Sequence, residues 1–120
     1  MKYKIIREVR KRTPNPGRWN VWLYLNHKID WDKLARNSKN IKNFEYEPEI
    51  GIRTPIIRTM AGTIRYLKRY IILMSPYEDL IKPLRKFALN RLDSKKSAFW
   101  SKEILELEFA EKKLREKIFK

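Results

Sequence analysis

The segment that most constrains the fold runs from Thr54 to Met74, with the sequence TPIIRTMAGTIRYLKRYIILM. On a helix, at about 100° per residue, its apolar residues fall on one stripe: Ile56, Met60, Ile64, Leu67, Ile71 and Met74. The opposite stripe consists of Arg58, Gly62, Arg65 and Arg69, flanked by Lys68. We therefore predict a helix with one face on the core and the other on a polyanion. Gly62 costs such a helix about 1 kcal/mol relative to Ala, but it allows another backbone to come close.

The charge balance indicates the class of partner. The chain has 120 residues, enough for one domain, and carries 29 Lys and Arg against 14 Asp and Glu, a formal net charge of +15. Such an excess destabilises a compact monomer by self-repulsion unless a partner offsets it. Nucleic acid is the expected partner, and a membrane surface is the second choice. Abundant Ile, Lys, Arg and Glu without Gln is typical of a hyperthermophile, although the seven Asn residues argue the other way.

Three absences bear on where the protein works. The chain has no Cys, so it has neither a disulfide framework nor a thiolate metal site. Its N-terminus lacks an apolar run of signal-peptide length, and no stretch approaches the roughly 18 apolar residues of a membrane span. We expect a soluble intracellular protein without a membrane span, or a component of a particle assembled inside a cell.

Positive charge is concentrated in residues 1–17, where a single acidic residue, Glu8, stands among six basic ones: Lys2, Lys4, Arg7, Arg10, Lys11 and Arg12. The run from Thr13 to Gly17, TPNPG, interrupts any helix and forms a turn or stiff hinge. For the free protein, a basic arm and a disordered tail remain equally open. With nucleic acid present we expect the arm to order, because the release of condensed counterions favours binding.

The next two segments are predicted as short helices. Residues 18–27, RWNVWLYLNH, favour an amphipathic helix, although the alternation over VWLYL also allows a strand. Trp22 is expected in the core rather than as a base-stacking group, whereas Trp19 is a candidate contact to nucleic acid. Residues 30–43 follow as a helix capped by Asp30.

Residues 44–53, FEYEPEIGIR, have a different character and predict a loop or a short edge strand. Their carboxylates alternate with aromatic and proline residues and are Glu45, Glu47 and Glu49. No His or Asp stands nearby to complete a metal or catalytic set, so the favoured interpretation is pairing with a basic neighbour. Both a neighbour in the same chain and one in the next copy remain open.

Two more helices are predicted after residues 54–74. Residues 75–92 begin with Ser75 in the capping-box form SPYE, so this helix and the one before it are expected to pack as a hairpin. Pro83 kinks that helix or marks its real start. A last helix over residues 94–119 has mixed charge and a wide apolar face, which suits contact with a partner subunit.

Together these segments predict an all-α fold: a helical bundle over residues 18–120, preceded by the extended basic arm of residues 1–17. Residues 18–40 form a helix–turn–helix only in the loose sense of two short helices. They lack the glycine-bearing turn and recognition helix of a sequence-specific repressor.

The chemistry of an enzyme is missing from the sequence. His27 is the single His, there is no Cys nucleophile, and neither a P-loop nor a dinucleotide-binding glycine pattern occurs. We therefore predict a binding protein with no catalytic residue, no metal and no cofactor. The predicted nucleic-acid contacts are Lys2, Lys4, Arg7, Arg10, Lys11, Arg12, Arg18, Trp19, Asn20, Arg58, Arg65, Lys68 and Arg69. Their spread suits wrapping of a phosphate backbone, with little sequence preference and a steep dependence on salt.

The hinge carries a resemblance to a known family. The steps Arg12-Thr13-Pro14 and Gly17-Arg18-Trp19-Asn20 resemble the N-terminal segment of the major coat proteins of rod-shaped and filamentous archaeal viruses. This resemblance implies a helical coat protein whose dimers, of one chain or of two paralogous chains, wrap double-stranded DNA in the A-form and stack into a helical filament. It places Arg12, Arg18, Trp19 and Asn20 against the DNA, and the protein in a virion assembled in the host cytoplasm.

The expected function is therefore a structural, nucleic-acid-coating protein of a viral nucleocapsid. Two alternatives stay open: a small dimeric chromatin-type or regulatory DNA-binding protein, and an RNA-binding protein.

Overall fold

The computed structural model describes residues 2–14, 17–37, 44–48 and 50–118, and it shows a mixed α/β fold. Its strands are β1 (Ile5–Pro14), β2 (Gly17–Leu25), β3 (Phe44–Glu47), β4 (Ile52–Thr59), β5 (Gly62–Tyr66) and β6 (Tyr70–Ser75). Its helices are α1 (Trp31–Asn37), α2 (Ile81–Asn90) and α3 (Trp100–Ile118), with 3-10 turns at Glu78–Leu80 and Lys96–Phe99. The predicted all-α fold, including the helical bundle implied by the coat-protein resemblance, is wrong.

The strands form one antiparallel sheet in the order β1-β2-β6-β5-β4-β3. Four of its pairings join strands that are neighbours in sequence. The fifth pairs β2 with β6, in register from Trp19 opposite Ser75 to Tyr24 opposite Tyr70. This long-range pairing places the N-terminal hairpin beside the middle of the chain, so residues far apart in sequence share each face of the sheet.

One face of the sheet, called the inner face here, builds the core. Because side chains alternate along a strand, its residues recur at every second position and are fully buried: Val21, Leu23, Ile64, Tyr66, Ile71 and Leu73. Helices α2 and α3 supply the other side of the core, where the rings of Phe87 and Trp100 lie 5.0 Å apart. Leu34 of α1 belongs to the same core.

The predicted helix over 54–74 is instead the three strands β4, β5 and β6. The helical stripe is scattered: Ile64 and Ile71 point into the core, whereas Met60 lies in a turn and is 55% exposed. Eight of the residues in this segment are Ile or Thr at strand positions, and β-branched side chains fit a pleated sheet better than a helix. Sheet pairing therefore overrides the helical period.

Gly62 allows the close approach of another backbone that the sequence predicted, but it lies in a strand and not in a helix. Its φ is +153°, and a Cβ there would collide with the carbonyl oxygen of Met74 and press on Leu84 and Ser75. The residue thus lets β5 turn directly beside β6 and beneath α2.

The N-terminal segment also forms strands. Residues 5–14 pair with β2 along their whole length, so the described part of the predicted arm is the edge strand of the sheet. Asn26 holds the residues that precede β1 in place, because its Oδ1 accepts a hydrogen bond from the Lys4 amide at 2.8 Å. Residues 18–27 follow the strand alternative, which makes their helix and the loose helix–turn–helix wrong. The helix predicted over residues 30–43 is found as α1 in its described part, and residues 38–43 lie outside the described residues.

Helix α2 begins later than its capping box predicts. Ser75 ends β6 and is buried, and its hydroxyl donates to the carbonyl oxygen of Ala61 at 2.6 Å instead of capping a helix. A 3-10 turn follows, and α2 starts at Ile81. Pro83 consequently lies in the first turn, where a missing N–H is tolerated, so it marks the real start of the helix. The last helix is confirmed as α3, although it begins at Trp100.

A buried cation joins α2 to α3. The Arg91 side chain is fully buried, stacks on Phe87 with 4.6 Å between guanidinium carbon and ring centre, and donates to the Glu103 carboxylate. Burial lowers the pKa of Arg91, while Glu103 opposes that shift. Burial also raises the pKa of Tyr66, whose hydroxyl donates to the Ala88 carbonyl oxygen at 2.7 Å. These groups are structural and lie away from the predicted contacts.

Candidate nucleic-acid interface

The face of the sheet opposite the core, called the outer face here, collects aromatic and basic side chains. Over β1, β2 and β6 its residues are Arg7, Val9, Lys11, Thr13, Arg18, Asn20, Trp22, Tyr24, Tyr70, Ile72 and Met74. They share this face because strand register places them opposite one another and out of phase with the buried residues. None of these eleven carries a negative charge. The outer face over these three strands is therefore apolar in its middle and positive at its border.

Trp22 occupies the middle of this surface. In register it lies between Val9 of β1 and Ile72 of β6, and all three side chains are partly exposed. Within the described residues nothing accepts a hydrogen bond from the indole N–H of Trp22. An indole in this position presents both a π surface and a donor to whatever lies on the sheet.

Two tyrosines extend the aromatic surface towards the start of β6. The rings of Tyr24 and Tyr70 lie 5.3 Å apart with an interplanar angle of 32°. Arg7 of β1 covers the other side of Tyr24, with its guanidinium carbon 5.5 Å from the ring centre. Such a cation over an aromatic ring is held by the ring quadrupole while its remaining N–H groups stay available to an anion.

The basic residues of the β1–β2 hairpin are exposed, and the described residues offer them no counter-ion. Within the described part of the chain, none of Arg10, Lys11, Arg12 and Arg18 forms an ion pair. The acidic residue of this hairpin, Glu8, is engaged elsewhere, because it accepts from Arg85 of α2 at 3.1 Å. The hairpin thus presents a row of uncompensated positive charges along an edge of the sheet.

The basic residues of the 54–74 segment are in a different situation. Arg58 donates to Glu45 at 2.8 Å, and Arg65 donates to Glu47 at 2.7 Å. Of the two structures predicted for residues 44–53, a loop or a short edge strand, the strand is found at Phe44–Glu47. The predicted pairing with a basic neighbour is also found, and the neighbour belongs to the same chain; Glu49 lies outside the described residues. These pairs also close the outer face at β4, where Ile56 is only 4% exposed.

Four more of the predicted basic contacts lie in two places at one end of the sheet. Lys68 and Arg69 form the exposed turn between β5 and β6, and their carbonyl oxygens accept from Ile29 and Leu25. Lys2 and Lys4 are exposed before β1, at the same end of the sheet.

Trp19 and Asn20 lie on opposite faces of β2. Trp19 packs against the core on the inner face, and Asn20 lies on the outer face between Lys11 and Met74. The Oδ1 of Asn20 is buried and lacks a hydrogen-bond partner within the described residues. The structure therefore places Asn20 opposite Lys11 on the outer face, and it places Trp19 opposite Arg12 on the inner face.

The sequence interpretation missed the aromatic part of the outer face. Trp22 was expected in the core, and Tyr24 and Tyr70 were not singled out. The available signal was the alternation VWLYL in β2, which puts Val21, Leu23 and Leu25 on one face and the two aromatic residues on the other. This alternation indicates an aromatic surface only when β6 is known to be the neighbouring strand.

Other kinds of site find little support in the described residues. They contain no group of three or more His, Cys, Asp or Glu side chains placed to hold a metal ion. Of the helices that can be described, none is both long and apolar enough to cross a membrane. Searches with protein-family models, against curated proteins and against solved structures returned no match. The resemblance to viral coat proteins therefore rests on residues 12–20 alone.

Proposed function

We propose that the protein binds nucleic acid without sequence preference and that the β1–β2 hairpin makes the principal contact. One observation carries the proposal: the exposed cations Arg10, Lys11, Arg12 and Arg18 have no ion pair among the described residues, although acidic side chains elsewhere pair with other arginines. Unpaired cations on a chain with a net charge of +15 repel one another. A polyanion relieves that repulsion, which makes binding favourable.

The hairpin geometry suits an extended anionic backbone. Residues two apart on a strand are separated by about 6.6 Å and point to the same side, so Arg7 and Lys11 follow one line on the outer face. Arg10 and Arg12 follow a second line on the other side of β1. Contacts of this kind go to phosphates, and they position a protein without reading sequence.

The test is the dependence of affinity on salt. We compare the wild-type protein with the triple variant Arg10→Gln, Lys11→Gln, Arg12→Gln and with a control triple variant, Lys102→Gln, Lys112→Gln, Lys117→Gln. The control residues are exposed on α3, and both variants lose the same charge. Each lost phosphate contact flattens the slope of log K against log salt by about 0.7 to 0.9.

The hairpin variant is expected to flatten the slope of log K against log salt by about 2 and to weaken binding to every sequence alike. The reason is that binding releases about one condensed counterion fewer for each side chain removed. The control variant is expected to keep the wild-type slope. Equal slopes for the two variants contradict the proposal, because they show that only overall charge matters.

A narrower proposal follows from the resemblance at residues 12–20: a coat protein of a virus that covers double-stranded DNA as dimers and forms a filament. It is supported by that motif and by the unpaired cations beside it. Electron microscopy of the protein mixed with duplex DNA tests it, since a regular filament supports a coat. Discrete complexes favour the chromatin-type or regulatory alternative, and preference for structured RNA favours the RNA-binding one.

A further inference from the structure

We infer that the outer face over β1, β2 and β6 is a stacking platform for the unpaired bases of a single-stranded nucleic acid, with Trp22 at its centre. The inference rests on the proposed function, because two of the hairpin cations, Lys11 and Arg18, lie on this face and supply phosphate contacts. It goes further in naming the class of ligand, a strand whose bases are not paired.

The first support is the composition of this face. Trp22, Tyr24 and Tyr70 are partly exposed on a sheet whose other face holds the core, and Val9 and Ile72 flank the indole on both sides. A contiguous apolar area of this kind, bordered by polar groups, marks an interaction site. Aromatic side chains stack on any base, at about 5- to 150-fold in affinity for each base.

The second support is the geometry of the border. Arg7 and Lys11 line the β1 side of the platform, and Arg18 lies at its end. A strand lying on the sheet therefore has its phosphates beside cations while its bases lie over the aromatic rings. In a duplex each base face is covered by the next base pair, so the rings gain nothing from it. The combination selects a strand that can splay its bases outward.

A second copy of the chain is the competing occupant, and charge argues against it. A two-fold dimer brings the same surface of each subunit together. The described outer-face residues of β1, β2 and β6 include Arg7, Lys11 and Arg18 but no Asp or Glu. Two such faces would set like charges against each other in a partly desolvated interface, which is unfavourable.

The experiment measures the affinity of the wild-type chain for four ligands of equal length: oligothymidylate, oligouridylate, an abasic DNA strand and duplex DNA. The abasic strand keeps the phosphates and lacks the bases, so it isolates stacking. The same ligands are then tested with Trp22→Ala, with Trp22→Phe, and with Phe99→Ala as a control. Phe99 is an aromatic residue in the 3-10 turn before α3 that is 58% exposed and lies off the sheet.

We expect at least about 10-fold tighter binding of the intact single strand than of the abasic strand. Trp22→Ala is expected to remove most of that difference while leaving the abasic affinity unchanged, Trp22→Phe to retain most of it, and Phe99→Ala to change neither. Oligouridylate separates RNA from DNA, and base-dependent binding of either supports the platform. The comparison of intact with abasic strands needs no variant, so it decides the question even where Trp22→Ala fails to fold.

Three results overturn the inference: equal affinity for intact and abasic strands, tighter binding of the duplex than of either single strand, or a wild-type dimer that dissociates when Trp22 is replaced by Phe. If the hairpin variant still flattens the salt slope in those cases, the proposed function stands and only the platform fails. If the wild-type chain binds none of the four ligands, both fail.

Discussion

The guanidinium of Arg65 on β5 donates to the carboxylate of Glu47 on β3 at 2.7 Å, although β4 lies between the two strands. Both side chains are largely withdrawn from solvent, with 13% and 19% exposed. The neighbouring pair of Arg58 and Glu45 is far more open, with 60% and 40% exposed. The two arginines that the sequence offered as phosphate contacts thus differ in what they contribute to the fold.

Replacing Arg65 is therefore expected to destabilise the protein more than replacing Arg58. Arg65→Gln removes a charge-assisted bond from a partly buried site, which costs about 1.5 to 3 kcal/mol in the free energy of unfolding. Arg58→Gln breaks an exposed pair and costs less than about 1 kcal/mol. Urea unfolding measures both. A stable Arg65→Gln variant whose nucleic-acid affinity depends less steeply on salt would show instead that Arg65 contacts nucleic acid.

Gly62 is expected to be the least replaceable glycine. Gly62→Ala puts a side chain at a positive φ and against the Met74 carbonyl, so we expect a loss of more than about 2 kcal/mol. Gly17→Ala is the matched control, because a Cβ there meets only the Arg12 guanidinium at 3.8 Å. Its expected effect is within about 0.5 kcal/mol. Similar melting curves for both variants would show that β5 and β6 can move apart.

The buried pair between α2 and α3 is expected to be essential for stability. Glu103→Ala leaves the fully buried Arg91 without its counter-charge, which costs about 3 to 5 kcal/mol. The pKa of Arg91, already lowered by burial, falls further because the group that opposes the shift is gone. Glu106→Ala, at an exposed position of the same helix, serves as the control. Denaturant unfolding that does not distinguish the two variants contradicts this account.

The oligomer predicted from the last helix has a surface on which to form. Leu105 and Phe109 lie one turn apart on α3 and are 64% and 65% exposed. We expect the double variant Leu105→Glu, Phe109→Glu to be monomeric where the wild-type chain self-associates, because charge opposes burial of that face. Sedimentation velocity measures this, with Met60→Glu, an exposed apolar position in a turn, as the control. A wild-type chain that is monomeric at all concentrations contradicts the prediction.

The sequence by itself determined the charge of the chain and several local features. A net charge of +15 is independent of the fold, and so is its concentration in the first residues. The acidic segment around Glu45 and Glu47 was predicted as a loop or a short edge strand paired with a basic neighbour, because carboxylates without a metal-ligand set favour a counter-charge. The long C-terminal helix was also predicted, over residues 94–119, since its apolar residues recur at spacings of three and four.

Only the tertiary structure decided the fold class and the location of the candidate site. Residues 54–74 match a helical stripe by period, yet they form three strands, because neighbouring strands exist to pair with them. The pairing of β2 with β6 joins residues about fifty positions apart, and no local pattern encodes it. That pairing places Trp22 in the middle of an outward surface, whereas the β3–β4 and β4–β5 pairings put Arg58 and Arg65 beside their own acidic strand. A one-residue change of register exchanges the two faces of a strand, so which side chains a ligand meets is a property of the assembled sheet.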